Sequence, residues 1–339
     1  MPQNLSDRFF QRGREFLGVR TPFIAGAMTW VSDPKLVSAV CNSGGFGCLA
    51  GGNSPAAVLE KQILETRSLT DKPFGVNLIT IAPEYPKHLE LAERLRLPFV
   101  IFAGSFPRRR EVRKAKDTGA RVLCFASELS IAERMIDYGA DGLILEGSEA
   151  GGHVGYVSLV VLLQQVLFHV TQVPVFAGGG IASGRMAAHL LLMGATGVQM
   201  ATRFAVTEES SAHPLFKQRF LKAKAREAVS TPQYDSRLHV VAVRAIKNKA
   251  HDAFGRLQLD LIRQIDEGLL TPQDAQYKVE EFWVGALRRA VVDGDVDEGS
   301  LMAGQSVGLV DKIQSVSELM DELVRETEEE LERVKRSLS

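Results

Sequence analysis

A single histidine stands among small residues in the stretch Glu146-Gly147-Ser148-Glu149-Ala150-Gly151-Gly152-His153-Val154-Gly155. The apolar run Gly142-Leu143-Ile144-Leu145 before it reads as a buried strand. Glycine lets a chain turn sharply and lets a ligand come close to the backbone, and imidazole exchanges protons near neutral pH. A titratable ring on such a loop is suited to proton transfer; a solvated histidine on a flexible loop is the plainer alternative. A second stretch, Gly178-Gly179-Gly180, leads through Ile181-Ala182-Ser183 into a helical pattern. Backbone N–H groups free of side-chain bulk at such a place can cradle a phosphate. Thr202, after the next strand, adds a hydroxyl donor. The other reading of the three glycines is a tight turn with close helix packing. Asn77 could offer its amide to the edge of a heterocycle or simply end its strand. Met28 could pack on a ring face or fill core, and Trp30 could wall a pocket or be buried.

These residues need strand ends to hold them, and the chain supplies a regular rhythm. Apolar strands are expected at Pro22–Gly26, Phe46–Leu49, Phe74–Leu78, Phe99–Ala103, Arg121–Phe125, Gly142–Leu145, Val173–Ala177 and Gly197–Met200. Amphipathic helices separate them, the first with Asp33 as N-cap and Pro34 in its first turn. The most apolar helix is expected over Val157–Val170. Eight strand–helix units with near-continuous apolar strands predict an α/β fold, a closed (β/α)8 TIM barrel, rather than an open sheet. In that fold ligands bind at the C-terminal strand ends, with phosphate commonly held after strands seven and eight. Small or polar residues do follow most strands: Gly26-Ala27-Met28, Gly51-Gly52-Asn53, Asn77, Gly104-Ser105, the histidine loop, the three glycines and Ala201-Thr202-Arg203.

The rhythm stops after the eighth strand. Residues 207–281 are polar and rich in helix formers, which predicts a helical insertion on the substrate side. Residues 1–20 form an N-terminal extension, and 21–206 with 282–339 form the barrel. A charged amphipathic helix is expected over Ser315–Ser337, its acidic run a solvated face.

The 339 residues carry a net charge of −1, which leaves no long-range field for nucleic acid or an anionic membrane. No apolar run is long enough to span a bilayer and no signal peptide is evident, so a cytoplasmic protein is expected. Cys41, Cys48 and Cys124 lack metal-ligand or catalytic spacing and read as reduced, structural thiols.

Several ordered motifs together resemble the 2-nitropropane dioxygenase-like flavoproteins. They are Gly26-Ala27-Met28-Thr29-Trp30-Val31, Asn42 to Gly47, Lys72 to Asn77, Glu146 to Gly155, Ala177 to Ala182 and Gln199 to Phe204. The likeness continues through Ala212-His213-Pro214, Arg244-Ala245-Ile246-Lys247-Asn248 and Gly294 to Gly308, so it covers nearly the whole chain after residue 20. This family comprises FMN-dependent (β/α)8 barrels, chiefly nitronate monooxygenase and enoyl-ACP reductase II, with related quinone reductases. The resemblance implies that Gly179, Gly180, Ala201 and Thr202 hold the FMN phosphate. It places the ring near Gly26, Ala27, Met28 and Asn77, with Met302-Ala303-Gly304-Gln305 returning to it. Glu146, Ala150, Gly151, Gly178 and Met200 complete the implied cofactor set, and His153 is the implied active-site imidazole.

The Glu-Ala-Gly-Gly-His-Val-Gly form and the Gly-Ser-Leu-Met-Ala-Gly-Gln ending are most similar to enoyl-ACP reductase II. That similarity implies NADH or NADPH as co-substrate, an acyl-thioester substrate, possible contact with acyl carrier protein, and a homodimer. Phe102 to Arg110 and Cys124 to Ser127 depart from the reductase pattern at positions that would line the pocket. Arg108, Arg109 and Arg110 could attract an acidic carrier or a pyrophosphate, or form a solvated helix start. Nitronate oxidation with O2, quinone reduction and a non-catalytic nucleotide-binding barrel are the rival readings.

Overall fold

The computed structural model describes residues 5–52, 54–238 and 242–338. Asn53, expected after the second strand, and residues 1–4 of the N-terminal extension lie outside the described residues. The chain begins with α1 (Leu5–Leu17), β1 (Phe23–Ala25), α2 (Pro34–Asn42), β2 (Phe46–Ala50), α3 (Ala56–Leu69) and β3 (Gly75–Ile79). It continues with α4 (Tyr85–Arg94), β4 (Phe99–Ala103), α5 (Arg109–Asp117), β5 (Arg121–Ala126), α6 (Leu129–Tyr138) and β6 (Gly142–Glu146). Then come β7 (Gly152–His153), α7 (Leu159–Leu162), β8 (Val175–Gly178), α8 (Gly184–Leu192), β9 (Gly197–Met200) and α9 (Thr202–Ala205). The last part holds α10 (Pro214–Lys222), β10 (Ala228–Ser230), β11 (Val243–Ile246), α11 (Lys249–Asp266), α12 (Pro272–Val291) and α13 (Val316–Leu338).

Eight parallel strands close in the order β1-β2-β3-β4-β5-β6-β8-β9, the expected barrel. Ile24 of β1 pairs with Phe46 on one side and Gln199 on the other, which completes the ring. Helix starts follow their caps: the Asp33 carboxylate accepts from the Leu36 N–H at 3.0 Å, and the Ser183 hydroxyl from the Met186 N–H at 3.2 Å. The helix expected over Val157–Val170 is shorter. After α7 the chain widens into a π turn over Leu163–Leu167.

The segment expected to be a helical insertion or small second domain, 207–281, contains, as well as helices, the strands β10 and β11. They make a second, antiparallel sheet in the order β10-β11-β7. Three- and four-residue strands leave little periodicity to read, and they persist here because β7 supplies a partner. Moreover, α12 runs without a break across residues 281 and 282.

The N-terminal helix closes the lower end of the barrel. Leu17 is fully buried with Ile24, Phe46, Phe99, Ile144 and Phe176. The Phe16 ring lies 6.2 Å from that of Phe99 and 5.9 Å from that of Phe176. The Arg121 guanidinium donates to the Phe16 carbonyl and ties the helix to β5. With the lower barrel filled by side chains, the upper end is left for ligands.

The C-terminal helix α13 packs on α8. Gly184, at the contact, has its backbone 3.0 Å from the Thr327 hydroxyl that donates to it, and its N–H donates to Glu326 at 2.8 Å. A Cβ at Gly184 would meet the Leu323 carbonyl oxygen at 2.1 Å. Gly184→Ala should therefore force the two helices apart and cost about 1–3 kcal/mol. A fall of several degrees in Tm is the expected result; an unchanged Tm would mean that the helices separate without cost.

Candidate active site at the mouth of the barrel

A cavity of about 800 Å³ lies over the C-terminal strand ends. Its floor follows strand periodicity: residues two apart, Cys48 and Ala50, Asn77 and Ile79, Ile101 and Ala103, face inward and line it. Phe125, Glu146 and Gln199 complete the inward ring. Of the residues expected to form the site, Gly26, Ala27, Met28, Asn77, Glu146, Gly151, His153, Ala201, Thr202 and Met302 all line this one cavity. The expected departures after β4 and β5 line it too, through Ser105, Phe106 and Ser127.

Six others stand behind the wall. Gly178, Gly179 and Gly180 form the backbone behind the β8 end, and Ala150 packs with Val154 and Ala242. Gln305 opens a 3-10 turn, its N–H donating to the Glu149 carbonyl at 2.9 Å. The Met200 side chain points outward into the core between barrel and helices and is 2% exposed. Only its carbonyl serves the mouth, accepting from the Gly26 N–H at 2.9 Å.

His153 is held from both sides. In register, His153 pairs with Val243 and Gly152 with Arg244. The Val154 N–H donates to the Ala242 carbonyl at 2.9 Å. The Arg244 guanidinium reaches across to the Ser148 carbonyl at 2.9 Å and the Ala228 carbonyl at 2.6 Å. Behind the loop, the Gly147 N–H donates to the Gly178 carbonyl at 3.0 Å. The imidazole is therefore carried by a stitched strand and not by a flexible tip.

The loops after β8 and β9 present donors without acceptors. Gly179 and Gly180 have φ of +97° and +72°, a left-handed turn that side chains resist. Among the described residues, the N–H groups of Gly179, Gly180, Ile181 and Thr202 donate to no protein acceptor. Successive left-handed residues and a helix start aim such groups at an anion. The Thr202 hydroxyl, beside them, accepts from the Gly304 N–H at 3.3 Å and brings the C-terminal segment over the site. Arg203, 9% exposed, fixes the cradle: its guanidinium donates to the Ala182 carbonyl at 2.9 Å and to Glu322 of α13 at 2.8 Å. Burial would raise the Glu322 carboxyl, but hydrogen bonds from Arg203 and Lys312 bring it down to about 2. A phosphate fits this set of donors, and a flat ring fits the floor of small residues beyond it.

Two floor residues carry polar groups that face the cavity. The Asn77 amide has, among the described residues, only a long 3.5 Å contact to the Ile101 carbonyl, which leaves it able to turn to a ligand. Among the described residues no cation or donor pairs with the Glu146 carboxyl, and burial pushes it up to about 8. At neutral pH it is mostly a neutral acid that can donate an O–H. The thiols do not compete: burial pushes Cys41 up to about 11 and raises Cys48 well above the ordinary thiol range. Cys48 nonetheless lines the floor and is more than the packing residue its sequence position suggests.

Gln199 was not among the expected site residues. A Cβ at Gly26 would come within 3.0 Å of its side chain and one at Gly178 within 3.4 Å, so it spans the gap between β1 and β8. Its inward parity with Gly197 and Ala201 is the signal that could have found it.

An acid with a raised folded pKa destabilises the fold once the unfolded chain ionises. For Glu146 the loss begins near the ordinary carboxylate pKa and is complete above about pH 8. In ligand-free protein, Glu146→Gln should be more stable than the parent by about 1–3 kcal/mol at pH 8 and nearly equal at pH 4.5. Denaturant titrations across that range would show parallel curves if Glu146 were ionised in the fold.

Comparison with known proteins bears on this geometry. The family model described as nitronate monooxygenase matches residues 11–90 and 79–326. The chain is 32% identical over 333 residues to the (3aS,4S,5R,7aS)-5-hydroxy-7a-methyl-1-oxo-octahydro-1H-indene-4-carboxyl-CoA dehydrogenase of Mycobacterium tuberculosis, covering 91% of this chain and 94% of that protein. FabK from Thermotoga maritima is similar in structure, with a TM-score of 0.84 and 34% identity over 96% of this chain and 98% of that one. The nitroalkane oxidase of Streptomyces ansochromogenes follows at a TM-score of 0.77 and 27% identity, over 96% and 100%. The chain belongs to the nitronate monooxygenase family and is one of its flavin-dependent oxidoreductases.

Proposed function

We propose that the protein uses FMN to reduce the carbon–carbon double bond of a 2-enoyl thioester, with NADH or NADPH as the electron donor. The observation that carries this reading is a cavity of about 800 Å³ that joins a floor of small residues to the clamped His153 imidazole, with Thr202 at its edge beside the N–H groups of Gly179 and Gly180 behind the wall. Such a volume is at the upper end for small-molecule sites and accommodates a cofactor together with a substrate. The relationship to a carboxyl-CoA dehydrogenase supports a thioester.

When bound, FMN supplies the two-electron chemistry that links pyridine nucleotide and substrate. Gly179, Gly180, Ala201 and Thr202 would hold its phosphate through backbone N–H groups and a hydroxyl. Gly26, Ala27 and Met28 would let the flat ring approach the β1 end, with Asn77 offering its amide and Glu146 its O–H. Gly151 and Met302 would close over it from the opposite side.

Reduction of the double bond adds two electrons and two protons, as a hydride equivalent drawn ultimately from the pyridine nucleotide at the β-carbon and a proton at the α-carbon. Negative charge develops on the thioester oxygen, and a ring N–H of His153 can stabilise that oxygen and deliver the α-proton. The strand that carries His153 keeps it oriented while substrate exchanges. Oxidation of a neutral nitroalkane would use the same imidazole as the base that removes the α-proton to give the nitronate, and needs no pyridine nucleotide.

His153→Ala should keep its flavin and its Tm while NAD(P)H consumption with a short enoyl thioester falls about a hundredfold or more. Full turnover in that variant would remove His153 from the reaction.

A further inference from the structure

The cavity has two unlike sides. Around the ring, β1 and β9 are neighbours, and β4 and β5 lie across from them with β6 beside β5. The β4–β6 side is the more polar and open: Ser105, Ser127, Glu128 and Tyr156 line it beside Phe106 and Phe125, and Tyr156 is 76% exposed. The β1–β9 side runs under α10 and α12, where Val31, Ala205, Phe216, Leu287 and Val291 form the wall. All five are buried, none more than 8% exposed, and none has a side-chain hydrogen-bonding group. Leu287 and Val291 are four residues apart on α12 and so share a helix face.

We infer that this apolar recess seats the hydrocarbon tail of the acyl group, and that Leu287 and Val291 set the length of tail accepted. The inference rests on the thioester reading and names its substrate class as apolar acyl chains longer than the minimal enoyl unit. A polar group placed there would lose its hydration with nothing in return, whereas each methylene gains by leaving water. A ligand that spans both sides must be apolar at one end and polar at the other, as an acyl-pantetheine thioester is. The Lys217 ammonium, beside Phe216 in sequence, donates to the Thr207 and Ser210 carbonyls, each at 2.7 Å.

The test is kcat/KM of the holoenzyme for butenoyl, hexenoyl and decenoyl pantetheine thioesters, with flavin content measured on every sample. The parent should gain about two- to fourfold per added methylene until the recess fills. Val291→Phe shortens the recess and should cut the decenoyl-to-butenoyl ratio at least tenfold. Val291→Ala, which deepens it, should raise the same ratio and keeps the test available if the larger residue prevents folding. Ratios within twofold of the parent in both variants would overturn the inference. So would a folded Val291→Phe that has lost its flavin, because the recess would then belong to the cofactor. If the parent neither turns over these thioesters nor shifts its flavin spectrum on binding decanoyl pantetheine, the thioester reading itself falls. Turnover of all three with unaltered ratios would remove only the recess assignment.

Discussion

The antiparallel pairing of Gly152–His153 with Val243–Arg244 is the contact on which the site depends. A barrel strand ends at Glu146, and seven residues later the imidazole must be aimed back over the mouth. The insertion supplies β11, Arg244 ties that strand to the loop base at Ser148, and the isolated pairing of Ala245 with Met302 brings the C-terminal segment alongside. Three pieces of chain distant in sequence thereby become one rigid wall. Arg203 and Glu322 do the same for the opposite wall, where they join the phosphate-type cradle to α13. The β7–β11 pairing aims the His153 imidazole, and the buried Arg203–Glu322 pair holds the turn beside Thr202.

Within that frame, residue size and polarity divide the cavity. Gly26, Ala27 and Ala103 keep the floor open, while Asn77, Glu146 and Gln199 are the polar groups set into it. A carboxyl kept mostly neutral can donate where an ionised one would repel, which suits it to a ring bearing carbonyl oxygens. The polar β4–β6 rim and the buried apolar recess under α12 then suit a substrate with two unlike ends. Departures from the reductase pattern after β4 and β5 fall on the rim, where relatives with different substrates would be expected to differ.

Most of the barrel was legible in the sequence. Phe99–Ala103 and Gly197–Met200 have the expected ends, and the other barrel strands deviate by a residue or two, because near-continuous apolar runs between capped helices leave few alternatives. His153 and Thr202 could be found because they sit at strand ends among small residues; Asn77 was expected to close its strand but lies in the middle of β3, and it reaches the cavity by strand parity. The rest depended on tertiary contacts. Strands as short as β10 and β11 carry no periodicity of their own. Met200 and Gln199 are adjacent, yet only strand parity tells which one faces the ligand. Glu322 lies in an ordinary charged helix, and its role appears only once Arg203 is packed against it. The lower plug formed by α1 was likewise hidden, since Phe16 and Leu17 look like any apolar pair until the barrel gives them a floor to fill.

The most direct measurement is anaerobic stopped-flow absorbance of FMN-replete protein mixed with NADH, with NADPH and, separately, with an alkyl nitronate. Rapid bleaching of the oxidised flavin band by at least one pyridine nucleotide, and its return when a 2-enoyl thioester is added, is the expected result. An absence of bleaching by both nucleotides, together with fast reduction by the nitronate, would contradict the enoyl-thioester reading.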